Sequence, residues 1–598
     1  KVFPLCRKIH FVVCGCCAQE LLLEKGMFKK RENKIDITCS QCKEKLNDEE
    51  HQREVLGSVF SLTSQQATPL RLAIKPGMAI KAVTRLARET KVILQNISIS
   101  DTLFLGLMSR TTVEIKSKIT VFPHNNSLDC CLERPYPGIG KEIRICVDGY
   151  TSEDLKQIEE NIRRMPKRTI ILKSQKIHAK EKGVCILLKF LDGSYERNDL
   201  FDGVYGCKNL FDGISGAGFE VLLESSEREL VKEILGNSSS QIWMGKAKYL
   251  MLARRAIEIV PKLRMRDKDN MEKLILYADS PEYISEVINI KNQGILIGNM
   301  RNISLRGYAV EMLPKFKFHE ENQINGITLS ADHCDNITRI SKAKKRSLLE
   351  CKVKNLRLER YAVELLSKLR IDEENEMESF SLSADHDTHI TGMLGTEKNS
   401  IWVGKVKILC LEESAVKVLP KLRIHEENKM EVLSLSVRCS EKGTWLPLIK
   451  QNSIWVGKVK KLELRDYAAE MLPKLRFNKE NEMEELSLSA DRPLPIGKKL
   501  QIKQNSIWIG KLKRLKLEGY AVEVLPRLGF HEKNKMEELN LCAVGFEQIS
   551  GVLKEKDKSI WVGKVKKLSL DRYTKEVEGK LKDPREDNDG DIEMCLFK

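Results

Sequence analysis

Six residues near the amino terminus carry the clearest chemistry: Cys6, His10, Cys14, Cys17, Cys39 and Cys42. They lie in "PLCRKIHFVVCGCCAQELLLEKGMFKKRENKIDITCSQCKEKL", residues 4–46. Written as spacing, they run C-x3-H-x3-C-x2-C-x21-C-x2-C. Thiolate sulfur and imidazole nitrogen are the donors zinc takes, four at a time in a tetrahedron, and a closed set of four is structural rather than catalytic. Of the 17 cysteines, six fall within the first 42 residues, and that clustering around a histidine favours metal over a disulfide framework in a reducing compartment. On residue types alone three readings stay open: a two-site finger, a simple zinc ribbon of Cys14, Cys17, Cys39 and Cys42, and a cluster of free buried thiols.

The order and spacing resemble the last six ligands of a RING finger, whose pattern is C-x2-C, a long loop, C-x(1–3)-H, then C-x2-C twice. The resemblance covers about 40 residues. It implies cross-braced sites, with Cys6, His10, Cys39 and Cys42 completing one, and Cys14 and Cys17 half of the other. The leading C-x2-C of that other site is absent, and is expected upstream of Lys1 if the chain is truncated. Cys16 has no place in the pattern. The resemblance further implies recruitment of a ubiquitin-conjugating enzyme and transfer of ubiquitin to a bound substrate with no covalent intermediate, so no catalytic nucleophile is expected. The alternative is a finger that is structural only.

The elements that would carry such a head are read from a repeat. The phrase "QNSIWVGKVKKLEL" (451–464) recurs, and its glycine stands at Gly245, Gly298, Gly404, Gly457, Gly510 and Gly563, with Cys351 in the degraded copy, always 53 residues apart or a multiple of it. Constant spacing over seven copies marks a repeat architecture. Each copy divides in two, since Val459, Met483 and Leu512 align at steps of 24 and 29 residues. Both halves follow L-x-x-L-x-L-x-x-N, with Tyr467 or Asp491 at the asparagine place. This resembles the leucine-rich-repeat family, although the tyrosines at that place make a regular asparagine ladder unexpected.

Physics gives the same units. Val459, Leu462 and Leu464 face inward between Lys460, Lys461 and Glu463, which suits a strand buried on one face. Ala468, Met471, Leu472 and Leu475 follow helical spacing, and Pro473 keeps that helix short or broken. Such a unit cannot bury its apolar side alone, so the spacing predicts an α/β solenoid with a parallel sheet along its concave side. The glycine is expected at a close approach or a positive φ, and Trp402, Trp455, Trp508 and Trp561 are expected as packing in the turn between layers.

The remaining boundaries follow. Residues 1–50 form the RING-like finger and 51–68 a linker. Residues 69–165 resemble HPr, the bacterial phosphocarrier family, in the order strand, helix, two strands, helix, strand, helix, with an insertion at 116–141 expected as an exposed loop. Ala79 stands where that family's phosphorylated histidine belongs and Lys81 replaces its arginine, so no phosphocarrier activity is expected. His124, Cys130 and Cys131 in the insertion are unevenly spaced for a metal. Residues 166–240 are expected as irregular cap repeats in which "RTIILKS" and "VCILLKFLDGS" look like strands; 241–581 form the solenoid and 582–598 a polar tail.

The net charge of +17 suits acidic partners in general. Lys460 and Lys461, Glu484 and Glu485, Lys513 and Arg514, Glu537 and Glu538, and Lys566 and Lys567 alternate from strand to strand, so basic rows face acidic rows across the sheet, which argues against a nucleic-acid trough there. No apolar run is long enough to span a membrane, and no triad, H-E-x-x-H motif or P-loop is present. The repeat and the resemblances together imply an intracellular adaptor, cytoplasmic or nuclear, expected to bind a protein substrate on its solenoid and, as the RING resemblance implies, a ubiquitin-conjugating enzyme through a zinc-holding head. The rival is a plain interaction scaffold.

Overall fold

The computed structural model describes residues 68–75, 86–117, 119–123, 142–147, 149–166, 169–172, 174, 176–192, 219–228, 247–264, 271–297, 300–318, 324–348, 352–371, 374–438, 449–494 and 503–582, with short strands at 2–4, 12–14, 37–38, 45–46 and 242–243. The chain divides into two compact units, Lys1–Leu274 and Ile275–Lys598.

Among the described residues of the first unit, the strands between residues 71 and 254 pair in parallel. Arg71–Ile74, Lys91–Leu94 and Thr112–Ile115 form one sheet, and Ser98–Ser100, Ile119–Phe122 and Ile170–Leu172 a second. A third runs through Glu142–Ile145, Lys176–Lys180, Phe219–Ser225 and Ala247–Arg254. The helix Asp101–Arg110 starts at Ser100, whose hydroxyl accepts from the Leu103 amide, and Ser152–Arg164 starts at a capping box of Thr151 and Asp154. Buried Asn161 joins the two helices to the sheet: it accepts from the Val113 amide at 2.9 Å and donates to the Met108 and Thr111 carbonyls at 2.8 and 2.7 Å.

Two expectations need correction here. Part of the segment expected as an exposed loop is the strand Ile119–Phe122, with Ile119 and Val121 buried; its alternation outweighs the turn residues that follow. The run "VCILLKFLDGS" lies mostly in the helix Lys182–Asp192. A short apolar run with buried neighbours on both sides has no periodicity to separate strand from buried helix. In "RTIILKS" the strand is Ile170–Leu172, as the run suggests.

The second unit is α/β, a solenoid-like repeat with a long parallel sheet and short helices. Met300–Gly307, Ile324–Ala331, Val353–Arg360, Glu376–Ala384, Ile401–Glu413, Lys429–Val437, Ile454–Asp466, Glu482–Ala490, Ile507–Gly519, Lys535–Cys542 and Lys564–Leu570 each pair in parallel with the next. Lys461 pairs with Glu485, and Glu485 with Arg514, so the register steps of 24 and 29 residues hold. Val459, Leu462, Leu464, Met483, Leu486 and Leu488 are at most 1 % exposed. Burying each such side chain stabilises by about 1.5–3 kcal/mol.

Every second strand from Met300–Gly307 to Ile507–Gly519 ends in a residue with φ near +55 to +63°, among them Arg360, Glu413, Asp466 and Gly519, and a tight 3-10 helix follows. The segment expected as a helix through Leu475 is the 3-10 helix Tyr467–Lys474, and Leu475 instead opens the strand Leu475–Phe477. Proline does not set the tighter turn, because Tyr361–Lys368 carries Ser367 at the place of Pro473 and is also a 3-10 helix.

The repeated glycine and an asparagine interlock. Gly404, Gly457, Gly510 and Gly563 have φ from +69 to +87°. A Cβ on Gly457 would lie 2.7 Å from the Asn428 carbonyl oxygen, and one on Gly563 would lie 2.4 Å from that of Asn534. Asn428 is buried, accepts from the Val406 amide at 2.7 Å and donates to the Val406 carbonyl at 3.2 Å. Asn375, Asn481 and Asn534 accept in the same way from Val353, Val459 and Leu512. An asparagine ladder therefore exists, but not at the place expected: Tyr467 is half-buried and Asp491 exposed.

Side chains of the 3-10 helices also tie one layer to the next. Lys315, Lys368, Lys421 and Lys474 donate to carbonyls of Ile290, Ala343, Leu394 and Ile449. In the other direction, Glu311, Glu364 and Glu523 accept from the amides of Arg339, Gly392 and Gly551. Burial pushes the Glu364 carboxyl above its ordinary range, opposed by its hydrogen bonds from Gly392 and Met393. Lys417 stands where these glutamates stand, and pairs with Asp387.

Candidate functional site

The predicted zinc ligands Cys6, His10, Cys17, Cys39 and Cys42 lie outside the described residues, and of Cys14 only the backbone is described, at the end of the strand Val12–Cys14. That strand pairs antiparallel with Val2–Pro4. Ile37–Thr38 pairs antiparallel with Lys45–Leu46, and Cys39 and Cys42 fall between them in sequence. Among the described residues no group of three or more His, Cys, Asp or Glu could hold a metal ion. Ala79, Lys81, His124, Cys130 and Cys131 also lie outside the described residues.

Among the described residues, the second unit's sheet presents an outward face of regularly spaced side chains. Strands expose every second residue, so three outward positions per strand line up across the register. One row runs Arg357, Ser381, Cys410, Ser434, Glu463, Ser487, Lys516, Asn540 and Ser569. The next runs Glu359, Ser383, Glu412, Ser436, Arg465, Ser489, Glu518 and Cys542. Serine strands thus alternate with charged ones. The leucine pattern forces this placement, because the residues between inward leucines must point out.

Ion pairs organise the charged strands. Lys461 meets Glu463 at 2.9 Å and Glu485 at 3.5 Å; Arg514 meets Glu485 at 3.8 Å and Glu537 at 3.7 Å; Lys567 meets Glu538 at 3.8 Å. The sequence alternation of basic and acidic strands is thereby realised as contacts. The hydrogen bond from Lys461 to Glu463 raises the Lys461 pKa, and that from Lys516 to Glu518 raises the Lys516 pKa. Each exposed pair contributes roughly 0–1 kcal/mol, so the network adds little to stability. Two cysteines sit in these rows. Burial, followed by the hydrogen bond with Asp571, pushes the Cys542 thiol up to about 11, and burial likewise raises Cys410. Neither is a thiolate at neutral pH, so the face offers hydroxyls, ammonium groups, guanidinium groups and carboxylates rather than a nucleophile.

A second feature lies on the flank, where the first residues of each long strand pair with a short strand. Trp402 pairs with Arg423, Trp455 with Arg476 and Trp508 with Gly529. The Arg423 guanidinium lies 3.8 Å from the Trp402 ring centroid, and that of Arg476 lies 5.1 Å from Trp455. Trp508, opposite glycine, is 53 % exposed. Trp402 and Trp455 are thus half-buried beside the turn, each under an arginine, whereas Trp508 is an exposed platform. The fixed 21-residue distance from tryptophan to arginine was the available signal.

No helix among the described residues is long and apolar enough to cross a membrane. Comparison of the chain with protein-family models, with curated proteins and with solved structures gives no match.

Proposed function

We propose that the chain is a protein-binding adaptor of the leucine-rich-repeat kind, in which the outward face of the parallel sheet takes a protein substrate. The observation that carries this reading is the contrast between the two faces of each strand. Buried positions repeat as leucine, valine and methionine, while outward positions change from Arg357 and Ser381 to Glu463 and Lys516 at constant register. A rigid frame with varied outward groups suits specific recognition of one protein surface. The test replaces Ser434 or Ser487 with a photo-crosslinking amino acid in cells. A single protein captured from both sites, and lost on charge reversal at Glu463 and Lys516, supports the reading; capture unaffected by those reversals removes it.

The amino-terminal cysteines extend the proposal. Cys6, His10, Cys39 and Cys42 would hold zinc, with Cys14 and Cys17 contributing to a second site, and the finger would recruit a ubiquitin-conjugating enzyme. Zinc would supply the cross-link that folds so short a segment. Zinc stoichiometry of the full chain and autoubiquitination with a panel of conjugating enzymes test this. Bound zinc with no transfer leaves the second reading, a non-enzymatic scaffold with a structural finger.

A further inference from the structure

The flank of the second unit carries a cation row that the sheet face does not. Lys317, Arg370, Arg423, Arg476 and Lys582 stand 53 residues apart, with Gly529 in the single gap. All five are exposed. Among the described residues, Lys317, Arg423, Arg476 and Lys582 make no ion pair, whereas the sheet-face lysines Lys461 and Lys567 are matched by glutamates. Cation–π contacts with Trp402 and Trp455 hold the guanidinium groups of Arg423 and Arg476 over the rings and leave their donors for an anion. The gap is built in. A Cβ on Gly529 would fall 2.6 Å from the Asn505 carbonyl oxygen, so no side chain from that position covers Trp508, whose ring contact among the described residues is with His531 at 6.4 Å.

Spacing selects the ligand. Each repeat contributes two strands to the main sheet, about 9.6 Å per repeat, and each flank pair is built on the first residues of one of those long strands, so the row advances once per repeat by about that distance. A polyproline II helix advances about 9.3 Å per turn of three residues, which keeps every third residue on one side and in phase over three repeats. An extended strand would turn every third residue alternately toward and away. An α-helix, with matching residues seven apart at about 10.5 Å, falls out of step by nearly a full ångström per repeat.

We propose that this flank binds an acidic polyproline-type segment of a partner protein, with carboxylates three residues apart on Arg423 and Arg476 and a proline ring three residues further on against Trp508. Arginine forks suit carboxylates, and polyproline segments pack on exposed aromatic faces. This inference does not rest on the sheet-face reading, because it concerns a different surface with different residues.

The test uses the full chain and a fluorescein-labelled peptide, Glu-Pro-Pro-Glu-Pro-Pro-Pro-Pro-Pro, read by fluorescence anisotropy at low salt in both chain directions. The comparison probes are Glu-Gly-Ser-Glu-Gly-Ser-Gly-Gly-Ser and a nine-residue oligodeoxythymidylate. In one direction the proline peptide is expected to bind at least tenfold tighter than the glycine-serine peptide. Arg476→Glu and Arg423→Glu should each weaken it at least tenfold and Trp508→Ala about fivefold, while Arg357→Ala on the sheet face leaves it unchanged. These four positions are partly or fully exposed, and circular dichroism checks that each variant folds. Equal affinity for the two peptides overturns the proposal, as does absence of binding by both. Tighter binding of the oligonucleotide through the same residues also overturns it, by making the flank a nucleic-acid site.

Discussion

Replacing Asn428 with alanine removes both side-chain bonds to the Val406 peptide and leaves its amide and carbonyl buried without those partners. Each unsatisfied buried group costs about 1–3 kcal/mol, so the local loss for two is about 2–6 kcal/mol. Stability in a stacked array is set repeat by repeat, and a single global transition would blur the effect. Native-state hydrogen exchange with mass spectrometry on the segment 401–413 measures it directly. At about 1.4 kcal/mol per tenfold, exchange should accelerate about 30- to 20,000-fold. Asn428→Asp sharpens the test, because a carboxylate keeps the acceptor for the amide but faces the Val406 carbonyl. Burial beside that oxygen raises its folded pKa. Its stabilising, protonated form is therefore present below the unfolded pKa of about 3.9 and lost as pH rises through the folded value. Asn452→Ala, at an exposed residue with φ +52°, is the control. If Asn428→Ala exchanges no faster than that control, the asparagine is a bystander and the interlock is wrong.

Three further outcomes are expected. Gly457→Ala should cost more than Gly510→Ala in thermal unfolding, about 2–3 against 1–2 kcal/mol, because their added methyls lie 2.7 and 3.3 Å from a backbone oxygen at similar positive φ; the reverse order would contradict the close approach. Glu364→Gln should flatten the pH dependence of stability: the raised pKa favours folding below the unfolded value near 4.3, and that gain is lost as pH rises through the folded pKa. A variant with an unchanged pH profile would show that burial does not perturb this carboxyl. Iodoacetamide at pH 8 should label exposed Cys334 well before Cys542, whose thiol is held up to about 11; peptide mapping with equal rates would refute the assigned burial.

The sheet was legible in the sequence because leucine spacing encodes one buried face directly, and the steps between Val459, Met483 and Leu512 became the actual register. The positive φ at the repeated glycine was legible for the same kind of local reason. The asparagine ladder was missed because its side chains reach back 22 residues to another strand. No local pattern announces such a contact, although Asn375, Asn428, Asn481 and Asn534 recur at the repeat interval. The 3-10 helix was misjudged at Leu475, where three-residue turns and four-residue turns share their first apolar positions. The tryptophan surroundings depend on which residue the partner strand places opposite them, and pairing on the flank is not written in either strand alone.

The 22-residue reach has an evolutionary corollary. Since every layer measures its phase against the one before it, a duplication or loss of 53 residues preserves each measurement, whereas an odd-sized change at the same point misaligns an amide, a methyl-sized gap and a strand together. Growth of such a protein is thereby quantised, and new outward residues can be tried one whole module at a time.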